Sequence, residues 1–489
     1  MKLEAYFQKF RTGTIGHDLT VQTPYGTQHI VYADWVASGR LYRPIEEQLL
    51  SRFGPYVANT HTETTTTGTT MTHAYHEAKA IIKGHVNAAP NDVLIFAGSG
   101  MTGAVAKFQR ILNLRIPEKF SGRISVPEAE RPVIFVTHME HHSNHTSWLE
   151  TIADVELVGR DEKGLVDLND LSRLLERYKN RPMKIASVTA CSNVTGIQTP
   201  YHDIAKIMHQ NGGYCFVDFA CSAPYVPINM HPADTDARLD AIYFSPHKFL
   251  GGPGTPGVLI FNAQLYGNKI PDQPGGGTVT WTNPWGEHKY FQDIEIREDG
   301  GTPPFLQAIK AAMAIRLKET MDPSRMMARE EEMLPRVFQV LRQAPGLHIL
   351  ADHVEHRLGI ISFYIDGLHY NLGVKLLNDR FGIQVRGGCS CAGTYGHYLL
   401  NVTREFSKRI TDEIDHGDMS EKPGWIRLSL HPVMTDQEVD FILRAISDVA
   451  THHKTWSKDY VYDGSANEFR HKEFKENSAA ITDWFRVEA

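Results

Sequence analysis

The chain has 489 residues, room for several domains at the usual ~100–200 residues each, which excludes a single small module. Apolar residues make up 42% and charged residues 22%, ordinary globular values that argue against disorder. With 50 Lys+Arg against 57 Asp+Glu the net charge is −7, so no basic excess points to nucleic acid or an anionic membrane as partner.

The start, MKLEAYFQKF, lacks the apolar core of a signal peptide, and no run of ~18 apolar residues offers a membrane span. Five cysteines do not make a disulfide framework; they fit a reducing compartment, and a cytoplasmic enzyme is expected. Residues 1–30 read as an N-terminal extension. Within it and just after, VQTPYGTQHIVYAD carries the turn signal Pro24-Tyr25-Gly26 between two β-rich runs, which predicts a hairpin.

From about residue 40 to 330, short apolar runs alternate with helical patterns. Strands are predicted at 92–97, 132–137, 184–190, 213–219, 239–245 and 256–262, and helices at 102–114, 167–180 and 201–212. Most of the strands are continuously apolar, as in a sheet covered on both faces. The alternation predicts an α/β domain over 31–320 with a mainly parallel sheet and helices on both faces. The run PFLQAIKAAMAIRLKETM (304–321) predicts a long helix leading into a smaller C-terminal α/β domain over 321–453. Residues 454–489 read as a polar C-terminal arm.

Ser245-Pro246-His247-Lys248 follows an apolar strand and precedes several glycines. A partly desolvated lysine amine is a nucleophile that can form a Schiff base with an aldehyde cofactor. Most lysines near glycines are simple surface groups, so a second feature is needed. Asp218 ends another strand, and in open α/β sheets ligands bind beyond the carboxyl ends of strands. An Asp there can keep a pyridine nitrogen protonated, or it can merely cap the next turn. Gly98-Ser99-Gly100-Met101-Thr102-Gly103 follows a strand and opens a helix, so its backbone N–H groups can cradle a phosphate. Read literally it is a dinucleotide fingerprint, but no acid ends the next strand, PVIFVT, so a single-phosphate site is preferred.

The order of phosphate turn, His-rich turn, Asp strand, S-x-H-K block and Arg386-Gly387-Gly388-Cys389-Ser390-Cys391-Ala392-Gly393 resembles the class V aminotransferase family of fold type I enzymes. Cysteine desulfurases and selenocysteine lyases are the most similar branch. The resemblance covers roughly 30–450. It implies pyridoxal 5'-phosphate held as an internal aldimine by Lys248, with the phosphate on Ser245, His247 and the turn Gly100-Met101-Thr102. It further implies that Asp218 pairs with the pyridinium nitrogen, that His141 stacks on the ring, and that Asn193 lies near the phenolic oxygen. Thr278 would reach the phosphate of the neighbouring subunit of a homodimer with shared active sites. Cys391, five residues after Arg386, would attack the substrate sulfur and become a persulfide. Arg386 and Arg427 would bind the substrate, Arg427 gripping its carboxylate in bidentate fashion.

The resemblance thus implies a C–S or C–Se lyase acting on cysteine or a similar β-thio amino acid, with a sulfur-acceptor protein as partner. The alternative is transamination, epimerisation or β-elimination on another amino acid, with Cys391 a bystander. A dinucleotide-binding or non-catalytic scaffold is the reading from a different class, and a colourless protein that takes up no pyridoxal phosphate would favour it. No metal is expected: His138, His141, His142 and His145 have helical ligand spacing, but the cofactor reading already uses His141. Cys191, Cys215 and Cys221 read as buried small hydrophobes, and Trp35, Trp148 and Trp281 as core or interface. The family's Gln after the strand Asp is Cys221 here, with Ser222 as the candidate substitute. A charged insert (394–424) separates Cys391 from Arg427 and is expected to cover the site.

Overall fold

A computed structural model describes residues 2–60, 62–475 and 479–487. Seven strands form the central sheet: β1 (Asp92–Ala97), β2 (Val133–Thr137), β3 (Asp154–Val158), β4 (Lys184–Thr189), β5 (Tyr214–Asp218), β6 (Ala241–Phe244) and β7 (Gly257–Asn262). Their order is β1-β7-β6-β5-β4-β2-β3. From β6 to β3 all neighbours are parallel; β7 runs antiparallel to both β1 and β6. The mainly parallel sheet expected from the sequence is therefore present, with one reversed strand.

The continuous apolar runs have a packing reason. Successive residues of one strand enter different cores: Leu94 and Phe96 join one cluster, Val93 and Ile95 the other. Helix Gly100–Ile111 covers one face through Met101, Ala104, Val105 and Phe108. Helix Phe305–Met321 covers the other through Ala308, Ile309, Ala312 and Ile315. Fully burying a side chain such as Phe108 or Phe216 stabilises by ~1.5–3 kcal/mol. Trp148 belongs to this core and donates Nε1–H to Ser187 Oγ at 3.0 Å. Trp35 is buried too, stacked on His431, whereas Trp281 is 67% exposed.

The C-terminal unit has four strands: β8 (Leu347–Ile349), β9 (Ile360–Ile365), β10 (Arg386–Gly388) and β11 (Trp425–Ser429). Their order is β8-β9-β11-β10 and every pair is antiparallel. Helices Pro323–Gln343, Tyr370–Phe381 and Asp436–Trp456 pack with it, the last opened by a capping box between Thr435 and Glu438.

The N-terminal residues cross to this unit. Helix Leu3–Gly13 buries Phe7 and Phe10, and Arg11 makes a two-pronged ion pair with Glu438 at 2.6 and 2.8 Å. The hairpin Thr20–Thr23/Gly26–His29 turns at Pro24-Tyr25, as its sequence predicts. Val31–Tyr32 then runs parallel to Ile383–Gln384, and Asp34 bridges to Ser429. Near the other end, the hairpin Tyr460–Asp463/Glu468–His471 leans on helix Tyr370–Phe381, where Tyr460 donates to Asp379 at 2.9 Å. Residues 476–478 and 488–489 of the polar arm lie outside the described residues. Among the described residues no helix is long and apolar enough to cross a membrane.

Candidate active site

The carboxyl ends of β1, β2, β4, β5 and β6 converge on a cavity of about 190 Å³. Topology explains the convergence, because parallel strands release their following loops on one side of a sheet. His141, Asn193, Asp218, Lys248, Cys391 and Arg427 all line it.

Lys248 ends a single 3-10 turn, Pro246–Lys248, directly after β6. Gly39 N–H donates to His247 C=O at 2.9 Å, so the N-terminal segment backs this loop. A Cβ on Gly39 would come within 1.9 Å of Phe249 O, which explains glycine there. The Lys248 amine has no hydrogen-bond partner among the described residues. Burial pulls its pKa below the ordinary lysine value; Cys221 and Asp218 oppose the shift, and Arg427 and Arg386 add to it. A lysine in that state keeps a free electron pair at lower pH than a surface lysine does.

Asp218 is 3% exposed at the end of β5. One carboxylate oxygen accepts from Ala220 N–H at 2.8 Å, and the other has no protein partner among the described residues. Burial pushes its pKa up to about 6, against the Ala220 N–H and the Lys248 charge. A cationic donor in the cavity would satisfy this carboxylate.

Gly98 and Gly100 have φ of +41° and +61°, and helix Gly100–Ile111 starts without a side-chain cap. Ser245 Oγ accepts from Met101 N–H at 2.8 Å, drawing the turn onto the lysine loop. Thr102 Oγ1 lies 2.7 Å from Ser143 Oγ, and His141 Nδ1 accepts from Ser143 N–H at 3.1 Å. The neutral His141 ring therefore carries its proton on Nε2. Burial first, then Lys248 and other nearby cations, lower its pKa to about 3, so the ring is uncharged at neutral pH. Burial with the Lys248 charge likewise takes His247 to about 4.

The cysteine loop is pinned on both sides. Asn193 Nδ2–H donates to Ser390 C=O at 2.7 Å, and Trp425 Nε1–H to Ser390 Oγ at 3.1 Å. His142 N–H donates to Cys391 C=O at 2.7 Å, and His142 Nε2 accepts from Gly393 N–H at 2.9 Å. Ser390 and Cys391 adopt φ of +50° and +56°, which non-glycine residues hold only when surrounding contacts enforce it. Cys391 lines the cavity and is also exposed to solvent. Arg427 is buried at the inner wall, and Arg386 is half-exposed beside it.

Of the sequence-predicted residues, Thr278 lies outside this cavity. It is buried in its own loop, donating to Gly275 C=O at 2.6 Å. Ser222 does not line the cavity either; Cys221 does, and its thiol donates to Cys191 C=O at 2.9 Å. The four histidines diverge: His138 Nε2 bonds Gly164 C=O, His142 bonds Gly393, and His145 bonds Thr394. The segment after Cys391 forms helices Gly393–Leu399 and Arg404–Asp415, with Gly396 packed under Trp425. Sequence reading missed Asp34, which pairs with Arg386 and with Arg427, the latter 393 positions away, and carries no local signal.

These residues fit pyridoxal phosphate. Asn193 Oδ1 is buried without a partner, as a site for a hydroxyl or phenolic group requires. The unpartnered Asp218 oxygen suits a pyridinium N–H, and the Lys248 amine an aldehyde carbon. The turn at Gly100 suits the phosphate, where a Cβ would meet His247 Cε1 at 2.7 Å and Ser245 Oγ at 2.8 Å. Gly100→Ala is accordingly expected to weaken cofactor uptake by the apoprotein by about thirtyfold or more, since the φ and the contacts each cost ~1–3 kcal/mol. Titration of the apoprotein with pyridoxal phosphate checks this; unchanged affinity would mean that the turn is not the phosphate cradle.

The sequence profile of the family described as Aminotransferase class-V matches residues 31–442. A probable cysteine desulfurase of Staphylococcus epidermidis is 27% identical over 369 residues, 75% of this chain and 84% of that protein. One from Halalkalibacterium halodurans is 26% identical over 367 residues, covering 74% and 84%. Among solved structures, the apo cysteine desulfurase of Thermococcus onnurineus matches with a TM-score of 0.70 at 23% identity, over 86% of this chain and 95% of that one. The cysteine desulfurase CsdA of Escherichia coli matches at 0.67 and 21%, over 92% and 98%. The large parallel-sheet unit with its smaller C-terminal partner is thus the fold type I architecture of those enzymes, and the extent of the profile match shows that this chain belongs to the class V aminotransferase family.

Proposed function

We propose that this enzyme is a pyridoxal-phosphate cysteine desulfurase or selenocysteine lyase, acting on cysteine or a similar β-thio amino acid. The observation that carries the reading is one cavity holding Lys248, Asp218 and a solvent-reaching Cys391. Pyridoxal phosphate, when bound, supplies the electron sink that stabilises negative charge at the substrate's α-carbon. Asp218 holds the proton of the ring nitrogen, and His141 presents an uncharged face beside it. Lys248 anchors the cofactor and moves the α-proton of the substrate. Arg427, with Arg386, binds the α-carboxylate. Cys391 takes the sulfur: its S–S bond forms as the substrate's C–S bond breaks, leaving alanine and a Cys391 persulfide.

Two partners follow from this reading. Cys391 is exposed, so its persulfide would be within reach of a sulfur-acceptor protein or a small thiol. Thr278 serves no atom of its own cavity, and Trp281, Trp285 and Leu50 expose 67, 83 and 80% of their surface. The exposed side chains support a homodimer; Thr278, buried with its hydroxyl donating to Gly275 C=O, would reach the second copy's phosphate only after its loop rearranges on dimerisation. The five unpaired thiols fit work in a reducing compartment such as the cytoplasm.

Product analysis tests the proposal. With L-cysteine and a reductant, the expected products are alanine and sulfide in equal amounts. An oxo acid in place of alanine would show transamination or elimination and overturn the desulfurase reading.

A further inference from the structure

Asp34 lies against both arginines assigned to the substrate. Its Oδ1 accepts from Arg427 Nη2 at 2.8 Å, and its Oδ2 lies 3.3 Å from Arg386 Nε. Arg427 Nη1 donates to Asn193 C=O at 3.2 Å. The remaining nitrogen of that fork, Nε, is buried with no partner. Two of the three guanidinium nitrogens are thus held by the protein and the third has no partner. The segment carrying Asp34 is itself fixed: Ser429 N–H donates to Ala33 C=O at 2.8 Å, and Val36 N–H to Ser429 Oγ at 3.1 Å.

The charges give this arrangement a consequence. Arg386 lies close enough to Arg427 to disfavour its positive charge. Asp34 cancels one of the two. The pair plus Asp34 carries a net charge of one, which a single carboxylate neutralises. Asp34 stands behind the arginines rather than in the cavity lining; a second anionic group on the substrate would feel its charge through them, with no third arginine among the described lining residues to balance it.

We propose that Asp34 is a specificity-determining residue that restricts this site to amino acids with one carboxylate and an uncharged side chain, by fixing Arg427 and cancelling one of the two arginine charges. This rests on the function proposed above, because it assumes that Arg427 and Arg386 receive the substrate. It goes further by naming the charge class of substrate accepted.

The test titrates the holoenzyme with L-alanine and with L-aspartate, reading the amino-acid-induced change in the cofactor's absorption. Alanine has the single carboxylate and no sulfur to turn over; aspartate adds the second negative charge. The wild type is expected to favour alanine. In Asp34→Asn the preference for alanine over aspartate should fall about tenfold, the scale of losing one nearby charge in a partly buried site. Asp34→Glu, which keeps the charge, should retain the wild-type preference. An unchanged preference in Asp34→Asn overturns the role of Asp34 while leaving the proposed function standing. A wild type that responds to neither amino acid overturns both.

Discussion

Lys248→Ala is expected to lower turnover roughly ten-thousand-fold, the upper range for removing a positioned proton-transfer group, and to leave the purified protein colourless. The reason is local. The Lys248 amine is the half-buried, unpartnered candidate nucleophile at the end of β6, and among the described residues no other lysine lines the cavity. The same isolation means that the variant should fold. No hydrogen bond to the amine is lost, and Phe249 and Leu250 keep the loop in the core. Circular dichroism should match the wild type while visible absorption and turnover vanish. A variant that retained turnover would show that the covalent anchor lies elsewhere.

The second large effect falls on Cys391. Cys391→Ala should reduce sulfide release from cysteine by at least about a thousandfold, the scale of losing a covalent nucleophile. The absorption change on adding alanine should survive, because Lys248, Asp218 and Arg427 remain in place. Cys389 is the internal control: it packs against the core and does not line the cavity, so Cys389→Ala should keep sulfide release. If Cys391→Ala released sulfide at the wild-type rate, the persulfide step would be wrong, and the chemistry would be elimination on the cofactor's own residues.

Much of the site was legible because its residues sit at the ends of elements with strong local patterns. β1, β4, β5, β6 and β7 are buried on both faces, so their apolar runs are continuous and point straight to Gly98, Asn193, Asp218 and Lys248. β3 was missed because it is a short edge strand: Asp154–Val158 alternates polar and apolar residues over only four positions, and its residues are mostly half-buried. Helix Thr66–His85 was missed because its first turns, TTGTTMT, are rich in weak helix formers; its stability comes from packing on helix Phe305–Met321. Helix Leu3–Gly13 hides inside what reads as an extension, since its Phe7 and Phe10 are buried only by tertiary packing, which includes helix Pro323–Gln343. Asp34 is the same problem in chemical form. A lone acid near the N-terminus acquires meaning only when tertiary structure sets it between Arg386 and Arg427. The cysteine loop lies between these cases: its Arg-to-Cys spacing was visible, but the strain at Ser390 and Cys391, and the bonds from Asn193, Trp425 and His142 that enforce it, were not.

The central claim concerns one covalent bond, and mass spectrometry reads it directly. Holoenzyme loaded with pyridoxal phosphate and reduced with borohydride would be digested and its modified peptide sequenced. The phosphopyridoxyl group should sit on Lys248 and nowhere else; the same group on a different lysine, or on none, would contradict the site as drawn.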